Sequence, residues 1–129
     1  MRIVKGIYDD KDQLLIVSTL VASNPMMGVL FYVGVVSGLR ISDLLMLTVE
    51  QVGFGSFKAM EGKTGKEKWV TLSDEGYELV RTYIETQGLK SGDRLFRTTR
   101  QTAHKYFSNT AMSLGLSNIG THSMRKTYA

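Results

Sequence analysis

Apolar residues fall in short, punctuated runs along the 129-residue chain, and the spacing inside each run predicts its element. In QLLIVSTLVAS they recur at helical intervals, with Asp10 or Asp12 ahead of them as a candidate N-cap. Asn24-Pro25 breaks this helix, because proline suits a first turn and disfavours helical backbone in the residue before it. A second helix is expected over about 26–36. It is apolar on nearly all sides, so it belongs at the centre of the fold. Ser37-Gly38 ends it. The next run, LRISDLLMLTVEQV, reads as a third helix, with Leu39, Leu44 and Leu47 at helical spacing and Ser42 and Asp43 on a more polar side.

After Val52 the period changes. Two strand-like segments, about 56–63 and 66–72, flank Thr64-Gly65, the punctuation of a tight hairpin turn. Ser73-Asp74 caps DEGYELVRTYIETQ, a helix in which Leu79, Val80, Tyr83 and Ile84 share a face and which Gly88 closes. Leu95-Phe96 is a short apolar anchor. Thr99 caps RQTAHKYFSNTAMSLG, which stops at Gly115 or shortly beyond, and Thr121 caps a last helical turn. The expected fold class is mainly α with a small antiparallel β-hairpin.

Composition narrows this only a little. The length suits one domain with a real core. Without cysteine, neither a disulfide framework nor a thiolate metal site can form. The longest apolar stretch, MMGVLFYVGVV, is about half of the ~20 residues a membrane span needs. The net charge of +4 is compatible with an anionic partner. From Lys58 to Lys68 there are four lysines against two glutamates, and from Arg94 to Lys105 four basic residues and no acid. Taken alone, each cluster reads more readily as a solvated face than as a binding site.

Basic or protonatable groups also stand at junctions. Arg40 follows a Gly-Leu corner at a helix start, Lys63 sits at the lip of the hairpin turn, and His122 and Arg125 are three apart, on one face of the final turn. This set suits a clamp on a phosphodiester undergoing in-line displacement. Arginine's planar fork binds two phosphate oxygens, a hairpin lysine can protonate a leaving oxygen, and a histidine can donate a hydrogen bond or handle a proton. Bland readings compete: Arg40 as a surface residue paired with Asp43 across one turn, Lys63 as a polar turn residue, His104 and Lys105 as the polar side of their helix.

The order of the motifs separates these readings. SGLRISDLLMLTVEQV resembles the first signature of the tyrosine recombinase (phage integrase) family, T-G-x-R-x-S-E followed by L-x-x-L, with Ser37 and Asp43 at the Thr and Glu positions. GKTGKEKWVTL is similar to the family's hairpin-lysine motif. LFRTTRQTAHKYF and GLSNIGTHSMRKTYA resemble the segment leading into its H-x-x-R helix. The resemblance covers nearly the whole chain from about Asp12. It implies an integrase-like catalytic core in which Arg40, Lys63, His122 and Arg125 are catalytic and Asp43 orients its neighbours. It further implies strand cleavage through a 3′-phosphotyrosyl link with no metal, ATP or other cofactor, on double-stranded DNA, by a recombinase oligomer in the cytoplasm or nucleoid.

Arg97, Arg100 and Lys105, with His104, are the expected contacts to the DNA backbone outside the cleft. The family's nucleophilic tyrosine lies tens of residues after the H-x-x-R pair, and Tyr128 stands where the family carries a packing aromatic. The expectation is therefore a single partial catalytic domain over 1–129, lacking the N-terminal DNA-gripping domain and the nucleophile and inactive alone. The alternative is a naturally short, non-catalytic module that binds DNA or a full-length partner.

Overall fold

In a computed structural model, described over residues 10–62 and 64–115, helix α1 (Asp10–Ser23) packs against α2 (Pro25–Ser37) at the centre of the molecule. Asp10 and Asp12 both fall within the described span of this helix, and its cap lies outside the described residues. The break between the two helices follows the Asn-Pro chemistry. Asn24 Oδ1 accepts from the Met27 backbone N–H at 3.4 Å, and Pro25 occupies the first turn, where its missing N–H has no partner to lose. Gly28 permits the close crossing: a Cβ there would lie 2.3 Å from Val21 Cγ2 and 2.8 Å from Val21 N. At its other end α2 stops on Gly38, whose φ of 70° is left-handed and whose N–H donates to Gly34 O at 2.9 Å.

The core gathers around α2. Leu30, Phe31 and Val33 are fully buried, each side chain worth about 1.5–3 kcal/mol of transfer free energy. Phe31 meets Phe107 of α6 (Arg100–Ser113) edge-on, with ring centroids 5.1 Å apart. Helix α5 (Asp74–Gln87) is capped by Ser73, whose Oγ accepts from Gly76 N at 3.0 Å, and ends on left-handed Gly88. It turns Val80 and Tyr83 inward, with Leu79 and Ile84 packed at the edge of the same core. Leu95 and Phe96 are buried as anchors, and Thr99 Oγ1 caps α6 by accepting from Thr102 N at 3.2 Å.

The third helix of the sequence reading is two separate turns, α3 (Ile41–Leu44) and α4 (Val49–Val52). The backbone between them is used elsewhere. Leu47 O accepts from Leu95 N at 2.8 Å, and Thr48 pairs with Arg94 in a β-bridge. Thr48 then starts α4 with a reciprocal cap: its Oγ1 accepts from Gln51 N at 3.2 Å while Gln51 Oε1 accepts from Thr48 N at 3.4 Å. The strands are shorter than their patterns predict. β1 (Ser56–Met60) and β2 (Glu67–Thr71) form one antiparallel ribbon with Phe57 opposite Val70 and Lys58 opposite Trp69. Glu61 N donates to Lys66 O at 2.8 Å and closes a wider loop than a tight two-residue turn, with Gly65 left-handed at φ 72°. The mainly helical class with one small antiparallel sheet holds. Lys63, the cap at Thr121, His122, Arg125 and Tyr128 lie outside the described residues.

Candidate active site

Arg40 stands at the corner where α2 gives way to α3. Gly38 reverses the chain, and the wholly buried Ser37 uses its Oγ to accept from Leu39 N at 3.2 Å. Leu39, itself fully buried, pins the corner to the core. Arg40 follows in extended conformation as the N-cap of α3, with its carbonyl accepting from Asp43 N and Leu44 N, both at 3.0 Å. Its position is therefore set by backbone bonds and buried neighbours on both sides. The half-buried guanidinium makes no hydrogen bond or ion pair among the described residues, and the local pairing with Asp43 is not formed.

Asp43 is engaged across the fold instead. Its Oδ1 accepts from the backbone N–H of Gly62 at 3.0 Å, joining α3 to the loop of the hairpin. Gly62 is the chain neighbour of Lys63, so the tether fixes the residue from which the lysine follows. The other oxygen, Oδ2, is buried with no hydrogen-bond partner among the described residues. A carboxylate oxygen out of water without a donor is costly, which makes this side of α3 a place where a cation or donor is favoured.

The remaining basic candidates occupy other surfaces. Arg97 forms an ion pair with Asp93 at 3.1 Å and lines a cavity of about 300 Å³ with Asn24, Pro25, Met26 and Tyr83. That is the N-terminal end of α2, whereas Arg40 follows its C-terminal end, and a 13-residue helix is about 20 Å long. Arg97 thus does not join Arg40. In the same cavity Tyr83 donates to Leu95 O at 2.7 Å, and burial pushes its phenol up to about 12, opposed by the nearby Arg97 charge. It is a fixed donor that holds the Leu95 segment. Arg100, His104 and Lys105 are exposed on α6, with His104 Nε2 3.4 Å from Ser108 Oγ. Among the described residues no group of acidic or histidine side chains is placed to hold a metal ion, and no helix is long and apolar enough to cross a membrane.

Two positioning groups carry roles that the sequence did not assign: the buried hydroxyl of Ser37, marked there only by its place at the Thr position of the first signature, and the amide of Gly62, which no side-chain pattern reveals.

Comparison with known proteins shows the family and the fold. The phage integrase family profile matches residues 12–129. A probable integrase/recombinase of Bacillus subtilis (strain 168), YoeC, is 33% identical over 107 residues, 77% of this chain and 58% of that protein. The fold is that of XerA recombinase (TM-score 0.73, 16% identity, 99% of this chain and 49% of that one). It is equally that of lambda integrase bound to DNA (TM-score 0.73, 20% identity, 99% and 51%). The chain thus spans little more than half of the curated relative and about half of these two structures. By the match over nearly its whole length, the chain belongs to the phage integrase family.

Proposed function

We propose that this chain supplies the phosphate-handling half of a site-specific DNA recombinase active site, working on duplex DNA within a recombinase oligomer at the nucleoid. The observation that carries the reading is the Arg40 corner and its link, through Asp43, to the residue beside Lys63. A guanidinium held at a buried corner and not engaged by a carboxylate among the described residues suits two non-bridging oxygens of the scissile phosphate. Lys63 is assigned as general acid to the departing 5′ oxygen, and His122 and Arg125 as the other side of the clamp. Preorganised cations of this kind act on charge that develops in the transition state. Attack by a tyrosine oxygen on phosphorus would form the 3′-phosphotyrosyl link, and none of the six tyrosines of these 129 residues is assigned that role.

The test is a nicked duplex that traps the covalent intermediate. These 129 residues alone should give no protein–DNA adduct. Joined to a recombinase C-terminal segment that carries the tyrosine, they should give one. In the joined protein Arg40→Ala should slow adduct formation on the order of 10²-fold, as removal of one preorganised donor does elsewhere. An adduct mapped to Tyr128 in the chain alone would show that the nucleophile is misassigned. An Arg40→Ala protein of unchanged rate would remove the clamp.

A further inference from the structure

Helices α1 and α5 both pack on α2, and a groove of about 460 Å³ opens between them. Leu14 and Val17 of α1, Tyr32 and Val36 of α2, and Leu79 of α5 line it. Its floor is preformed. Gly76, in the first turn of α5, has no Cβ, and one there would collide with the Tyr32 hydroxyl, so glycine lets that ring lie across from α2 to α5. At the rim Leu14 is 67% exposed. An apolar trough of this kind, open to water, favours burial of a further apolar segment.

Charge narrows the occupant. Glu75 is the one charged residue among those lining the groove, and Asp74 stands beside it in the same helical turn. The positive end of α5 favours both carboxylates, and neither has an ion-pair partner among the described residues. An anionic partner is repelled here. A second copy docked by the same face would set its own Glu75 against this one. An apolar stretch that carries a cation fits.

Residues 1–9, which precede the described span, are such a stretch and lead directly into α1. They read MRIVKGIYD, with Ile3, Val4, Ile7 and Tyr8 apolar and Arg2 and Lys5 basic. Leu14 lies four residues after Asp10, about 6 Å along the helix axis, so the groove opens beside the point where this segment joins α1. Packed helices lie about 8–10 Å apart, and nine extended residues reach ~30 Å, enough to cross to α5.

We propose that residues 2–8 close this groove within their own chain, with Ile3, Ile7 and Tyr8 against Leu14, Val36 and Leu79 and with Lys5 turned to Glu75. The segment then ties the start of α1 to the start of α5, which otherwise meet only through α2.

The test is NMR on the full chain with labelled methyl and aromatic groups. Nuclear Overhauser contacts should join Ile7 or Tyr8 to Val36 and Leu79 and should persist on dilution. Amide exchange across residues 3–8 should be about tenfold or more slower than in a free peptide of the same sequence. Glu75 is exposed, so Glu75→Lys should keep the melting transition while removing most of that protection, and Lys5→Glu in the same chain should restore it. Absent contacts with exchange at the peptide rate overturn the proposal. Protection that Glu75→Lys leaves untouched, or that Lys5→Glu fails to restore, overturns it too. Contacts found only between differently labelled chains in a mixed sample assign the groove to a second copy and equally overturn it.

Discussion

Asp43 ties two distant stretches of the chain together through one carboxylate. One oxygen accepts from Gly62, nineteen positions away, and the other is buried without a partner among the described residues. The first bond has a charged acceptor but is exposed, so its net contribution falls toward the low end of the roughly 1.5–3 kcal/mol of such bonds. Its effect on loop position is larger than its effect on stability. Asp43→Ala should therefore leave the melting transition nearly in place while amide exchange at Gly62 accelerates about tenfold, measured by NMR hydrogen exchange. A protein that exchanges at Gly62 as before would show that the tether does not hold the loop. Of this site the sequence shows the order of charges: Arg40, Asp43 and the glycine before Lys63 can all be read off. It does not show that Asp43 turns away from Arg40, because its partner is a main-chain amide and every residue has one.

At the scale of elements, the helices with strong end chemistry lie close to where their caps predict. Asn24-Pro25, Ser73, Gly88 and Thr99 each satisfy or release specific backbone groups, so α2, α5 and α6 are legible from sequence. The run after Gly38 is not. Its leucines keep helical spacing across both turns, but Leu47 and Thr48 give their backbone groups to the 94–95 segment, a long-range demand that local periodicity does not carry. Thr48→Ala separates the two descriptions. In one continuous helix alanine would stabilise the protein through its higher propensity. In the observed fold it removes a reciprocal cap and should cost about 1 kcal/mol, read as a lower denaturant midpoint with an unchanged slope. A gain in stability would contradict the split into α3 and α4.

Over the whole molecule, charge is distributed in a way that helix stability does not explain. Arg100 opens α6 although a cation gains nothing from the positive end of a helix, and neither it nor Lys105 has an ion-pair partner among the described residues. Arg97, three residues earlier, is already paired with Asp93 and lies at the other end of α2 from Arg40. If duplex DNA is the partner, Arg97 and Arg100 should differ in what they contribute, because only Arg97 is already paired. Affinity for any duplex should fall steeply with salt, by about 0.9 in log-log slope per phosphate neutralised. Arg100→Ala should lower that slope by about 1 and weaken all sequences alike, since a phosphate contact positions without specifying. Arg97→Ala should change it much less, because breaking the Asp93 pair first offsets what a phosphate would return. Binding isotherms at three salt concentrations for each variant decide this. Equal slopes for the Arg97 and Arg100 variants would mean that the Asp93 pair does not hold Arg97 back from the duplex.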